Sequence, residues 1–143
     1  MKLQTAPIFL FALIAACTTP EPASYPTARL ENTHWKLVLL DDKSISTPEG
    51  GREIQFVLNS ETHRVTGFSG CNSLIGTYAV ENTKIVFSNM GGTRMACADT
   101  MELELRVHQM FSSVANWKIA GETLTLIDAH GKAIATFESR DLK

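Results

Sequence analysis

Nowhere in this 143-residue sequence do basic side chains gather: its 13 Lys and Arg stand singly against 15 Asp and Glu, for a net charge of −2. Without a basic run or stripe there is no electrostatic footprint for nucleic acid or for an anionic lipid surface, and nucleic-acid binding is not expected. No apolar run approaches the roughly 20 residues that a membrane-spanning helix needs. Histidine is scarce, and the four present (His34, His63, His108 and His130) are dispersed, with no HExxH and no pair at metal-ligand spacing. There is no GxSxG elbow, and Ser69, Ser73 and Ser88 have no His-Asp pattern near them in sequence. Adjacent carboxylates occur only as Asp41-Asp42, read as a solvated turn, and one residue apart at Glu102 and Glu104, read as a helix N-terminus. These absences lead us to expect no enzyme, no metal and no cofactor. The echo between Trp35-Lys36-Leu37 and Trp117-Lys118-Ile119 is too short to make a repeat.

What is present divides the chain in three. Lys2 is followed by an uninterrupted apolar run of nine residues, 8–16, which has the length of a signal-peptide core. Its end, Ile14-Ala15-Ala16-Cys17, resembles the bacterial lipobox: an aliphatic residue, two small ones, then the cysteine whose thiol accepts a diacylglyceryl group. The competing reading is an ordinary signal peptide beside a chance cysteine. Residues 1–16 are thus expected to be a lipoprotein signal peptide, and Cys17 the lipidated residue that attaches the protein to a membrane. Cleavage would remove Lys2 and shift the net charge from −2 to −3.

Residues 17–29 read as a flexible tether, with Pro20, Pro22 and Pro26 among small polar residues that cannot bury enough surface to order themselves. At about 3 Å per residue it could hold a domain some 30 Å from the lipid. Several acyl chains anchor stably where one would not. Thr18 stands where an Asp would favour inner-membrane retention in enterobacterial-type sorting, so the lipobox resemblance implies the periplasmic face of the outer membrane in an organism that has one. Acylation of Cys17 also makes sense of an odd cysteine count. It leaves Cys71 and Cys97, which an oxidising compartment would join. Closing a loop of about 27 residues stabilises by roughly 3–4 kcal/mol in the chain-entropy model. The alternative, a metal pair, lacks a CxxC or a neighbouring histidine.

From residue 30 to 143 the pattern is mostly β. Trp35, Leu37 and Leu39 alternate along one strand, and Ile54, Phe56 and Leu58 along another with Glu53 and Gln55 outward. Residues 64–68, 75–80, 84–88, 117–120, 123–127 and 133–138 read as further short strands, about eight in all. One helix is predicted over residues 100–113, with Asp99 as N-cap and Glu102 at the capping-box position. Its apolar stripe is Leu103, Val107, Met110 and Val114, widened by Phe111, with Glu104, Arg106 and Gln109 off it. The expected class is α+β: a curled, half-barrel-like antiparallel sheet with one amphipathic helix.

Several of these stretches resemble the META domain of HslJ-like heat-inducible lipoproteins: the Trp35 strand, Phe68-Ser69-Gly70-Cys71-Asn72, Gly76-Thr77-Tyr78, Thr93-Arg94-Met95-Ala96-Cys97, the Glu102-bearing helix and Leu124-Thr125-Leu126. The resemblance covers about residues 30–137 and implies a small exported α+β domain, often lipid-anchored, associated with envelope stress and drug tolerance and with no established catalysis. The motif residues Gly70, Asn72, Thr93, Arg94 and Met95 are read as structural. Gly70 would allow a tight turn where a Cβ could clash, and Asn72 would bond local backbone. Gly91 and Gly92 would bring the chain round so that Cys97 meets Cys71. The competing reading of Gly91-Gly92-Thr93-Arg94 as an anion-binding loop lacks the longer phosphate-cradle pattern. The function expected is a monomeric, non-enzymatic interaction and stress-tolerance module, with an unidentified envelope protein as partner. The alternative is a binder of a small, lipid-like amphiphile, held between sheet and helix near Met95, Met101, Met110 and Phe111.

Overall fold

A computed structural model describes residues 27–140 apart from Pro48. The signal segment, Cys17 and most of the tether lie outside the described residues. Among the described residues, no helix is long and apolar enough to cross a membrane.

Among the described residues, nine strands and one helix follow in the order β1 (His34–Leu40), β2 (Lys43–Ser44), β3 (Gln55–Asn59), β4 (Arg64–Phe68), β5 (Ser73–Glu81), β6 (Lys84–Gly92), α1 (Met101–Ser113), β7 (Val114–Ala120), β8 (Thr123–Asp128) and β9 (Ala133–Arg140). Every pairing is antiparallel, and neighbours in sequence are neighbours in the sheet beyond the short β2 flap. The expected α+β class with a curled antiparallel sheet is what the chain forms. The curl goes further than a half-barrel, because β1 pairs with β3 on one edge and with β9 on the other, closing the sheet into a ring. The ring is uneven. Between β6 and β7 a single register pair, Lys84 with Asn116, joins strands that diverge beyond it.

Alternation drives the sheet. Trp35, Leu37, Phe56, Leu58, Val65, Leu74, Ile85, Leu124, Leu126 and Phe137 are each at most 1% exposed and fill the ring. Phe56 is the hub, with ring centroids of Phe137 at 4.9 Å and Phe111 at 5.6 Å in edge-on contact. The alternation predicted for β1 breaks at Leu39. A register shift between Leu37 and Leu39 turns Leu39 outward, 36% exposed, and sends Leu40 into the core in its place.

Strand direction gives the ring two ends. At the lower end lie the start of β1 and the turns β3–β4, β5–β6 and β7–β8. Residues 27–33 cross that end, held by Ala28 N to Gly121 O (2.8 Å), Asn32 N to Leu58 O (2.7 Å) and Trp35 Nε1 to Leu30 O (2.8 Å). At the upper end, α1 links the top of β6 to the top of β7. Its Val107, Met110 and Phe111 face inward, and the Phe111 ring packs on Phe87 of β6 at 4.8 Å. The helix therefore plugs the end where β6 and β7 part. Val114, predicted as the last residue of the helical stripe, instead opens β7.

The predicted capping box does not form. The cap position is Thr100 and no side chain caps the helix; Asp99 and Glu102 are exposed. The reason is the turn before it, where Thr100 N bonds the carbonyl of the disulfide residue Cys97 (3.2 Å) and sets the helix start one residue later.

Candidate functional site

The upper end gathers three chain segments around one buried carboxylate. Ser69 and Asn72 come from the β4–β5 loop, Thr93 and Met95 from the β6–α1 connection, and Glu104 from the first turns of α1. Glu104 is only 6% exposed. It accepts hydrogen bonds from the Ser69 hydroxyl (2.8 Å) and from Asn72 Nδ2 (3.0 Å). The amide of Asn72 is used at both ends, since its Oδ1 accepts from Met95 N (2.7 Å) and the Thr93 hydroxyl (2.8 Å). Thr93 Oγ1 in turn accepts from Ser73 N (3.1 Å). One turn along the helix, His108 Nε2 stands 3.7 Å from Glu104. A buried polar network of this kind is specific because each member would be costly to leave unpaired.

The disulfide lies against this network. Cys71 and Cys97 are bonded, with Cα atoms 5.9 Å apart, so the β4–β5 loop is tied covalently to the residues that precede α1. This is the pairing that the cysteine count predicts. Gly70 has φ +118, in the region that favours glycine, while a Cβ there would make only ordinary contact with Ile54 at 3.5 Å. Conformation, rather than the clash anticipated, is what calls for glycine. Gly91 and Gly92 are not a loop. They are the last residues of β6, opposite Ile75 and Leu74, and a Cβ on Gly92 would run into the Ser73 carbonyl. The anion-loop reading therefore loses its loop, and Arg94 is an exposed side chain on the rim of a groove.

That groove, of about 420 Å³, lies on the outer side of α1. Met95 (59% exposed), Met101 (45%) and Leu105 (58%) supply its apolar surface, and Arg94 and His108 its basic groups. A second concavity, of about 380 Å³, lies on the other flank of the helix start, floored by Ile54, Phe68 and Leu103. The four residues proposed for an amphiphile pocket thus separate: Met110 and Phe111 belong to the packed core, and Met95 and Met101 to the outer groove.

Sequence reasoning misses two members of the network as site residues, Ser69 and Glu104, and sets Glu104 off the buried stripe. The signal is present: Glu104, Val107 and Phe111 follow at i, i+3 and i+7, which puts all three on one face. Among the described residues, no group of three or more His, Cys, Asp or Glu is placed to hold a metal ion.

Comparison with known proteins bears on the fold. A family model described as META domain matches residues 28–141. No curated protein matches the chain. A protein from Burkholderia xenovorans solved by NMR is similar over 86% of this chain and 99% of its own, with a TM-score of 0.63 and 25% identity. A second NMR structure covers 76% of this chain and 90% of its own, with a TM-score of 0.60 at 22% identity, and shares the fold.

Proposed function

Because the chain belongs to the META domain family, we propose that it is an exported, lipid-anchored protein that acts by contact, as an interaction and stress-tolerance module of the cell envelope. The observation that carries this reading is the opposition of the two ends of the ring. Thr27, where the described chain begins, leads into the lower end, while the outer groove with Met95, Met101 and Leu105 lies at the upper end. A tether through Cys17 would therefore present the groove away from the lipid surface. Exposed methionine and leucine around a concavity fit a protein partner with an apolar segment, since Met adapts its shape to what it meets.

The chemistry of the upper end favours contact over catalysis. Ser69 is fully buried and its hydroxyl proton is committed to Glu104, so it is no accessible nucleophile. The histidines have separate neighbours: His34 meets Gln55, His63 lies beside Tyr78, and His108 beside Glu104.

The test is photo-crosslinking in cells from position 105, comparing the native chain with Cys17→Ala. A discrete crosslinked protein that appears with the anchored chain and fades with Cys17→Ala is the expected outcome. Equal crosslinking and an unchanged envelope phenotype for the unanchored variant would sink the anchored-module reading.

A further inference from the structure

The cavity on the inner flank of the helix start has no role in the contact reading, and its construction is that of a small-molecule site. Its volume, about 380 Å³, falls within the range of ligand pockets. At roughly 30 Å³ for each water-sized unit, it holds about a dozen non-hydrogen atoms. The floor is apolar, made by Ile54 at the start of the β3 run, Phe68 at the end of β4 and Leu103 on α1, with Ile45 as a side wall.

Polar groups are few and placed at the rim. The Arg52 guanidinium lies 4.1 Å from the centre of the Phe68 ring, stacked at the mouth. It makes no ion pair with any described residue. Thr100, in the lining, is the cap position at the start of α1, where the helix dipole favours negative charge. Asp99 is the one acidic side chain in the lining and opposes an anion there.

We propose that this cavity binds a medium-chain carboxylate amphiphile, its chain on Ile54, Phe68 and Leu103 and its carboxylate on the Arg52 guanidinium at the mouth. The apolar floor selects the chain, and the stacked guanidinium, with its fork of donors, selects the carboxylate. This use of the upper end is separate from the outer groove, so the two can fail independently.

The probe is decanoate, with 1-decanol as the neutral control, titrated below the micellar range into the chain from residue 17 onward carrying Cys17→Ala. Amide shifts in an NMR titration are expected to saturate and to centre on Gly51, Gly70, Thr100 and Leu103. Arg52→Gln should weaken decanoate about tenfold, the effect of losing one charge-assisted hydrogen bond, and leave decanol unchanged. Asp99→Asn should tighten decanoate, a gain that a merely structural role for Asp99 would not produce. Leu103→Trp, which fills the floor, should abolish binding of both. If Leu103→Trp fails to fold, the opposed effects of Arg52→Gln and Asp99→Asn decide the matter. Shifts confined to the outer groove, equal affinity for decanoate and decanol, or no saturable binding would each overturn the proposal.

Discussion

Asn72 does at residue scale what the whole upper end requires, because its two amide atoms face different demands. Its NH2 must donate to Glu104 and its oxygen must accept from Met95 and Thr93. Asn72→Asp keeps the acceptor and sets a second carboxylate about 3 Å from the first, in a place with little water to screen it. We expect a loss of about 3 kcal/mol or more in denaturant unfolding, against a smaller loss for Glu104→Gln, which preserves the shape. A change below about 0.5 kcal/mol for Asn72→Asp would mean that the network is not a stabilising element.

Asp128 gives a residue-scale prediction of a different kind. The backbone N–H of Lys132, and then that of His130, donate to its carboxylate (2.9 Å each) and hold its pKa below the ordinary carboxylate range. A carboxyl whose folded pKa is depressed contributes stability above its unfolded pKa and loses that contribution as pH falls through the folded value. Glu53, held down first by its hydrogen bond from Lys36, adds to the same acid limb. Thermal midpoints measured from pH 7 to pH 3 should therefore fall. In Asp128→Asn, whose oxygen can still accept both bonds, they should fall less steeply; identical curves would remove Asp128 from the account.

At the scale of elements, the disulfide and α1 form one device. The bond between Cys71 and Cys97 fixes the start of a helix that no side chain caps. The double substitution Cys71→Ala with Cys97→Ala should cost about 3–4 kcal/mol and speed amide exchange across residues 93–100. Intact mass before and after reduction and alkylation checks the bond itself, and two free thiols in the purified protein would contradict it. Gly70→Ala should destabilise by about 1–3 kcal/mol through backbone strain, since space for the methyl exists.

The same elements mark what is readable in the sequence. Period-two alternation locates the strands at 54–58 and 123–127 because each has one buried face and one wet one. It fails at Leu39 because a bulge inserts a residue. Val38, Leu39 and Leu40 are all aliphatic, and their chemistry does not distinguish an inward side chain from an outward one. The helix is legible by its spacing, but its cap is not, since Asp99 and Glu102 have the right chemistry and a disulfide-bound turn overrides them. Asn72, Thr93 and Met95 are recognisable as a set by resemblance alone. The contacts that bring Glu104 to Ser69 and Asn72 span more than 30 residues, and no local pattern encodes that meeting.

At the scale of the molecule, a ring plugged at the top by α1 and crossed at the bottom by residues 27–33 has two ends closed by different segments. Burial, followed by the hydrogen bond to Glu31, raises the Tyr78 pKa, and this pair ties the crossing segment to the sheet. Tyr78→Phe should therefore loosen residues 27–33 before it loosens the upper end, seen as faster exchange at Ala28 and Asn32 with no change at Met95.

The closure of β1 on β9 has a consequence in time as well as in space. The first strand cannot find its second edge until residues 133–140 have been made, so the ring is a lock that the earlier strands cannot close by themselves. Contacts this distant in sequence form slowly. Until β9 has been made and has paired with β1, a newborn chain of this topology stays an open sheet with both edges of the future seam unpaired.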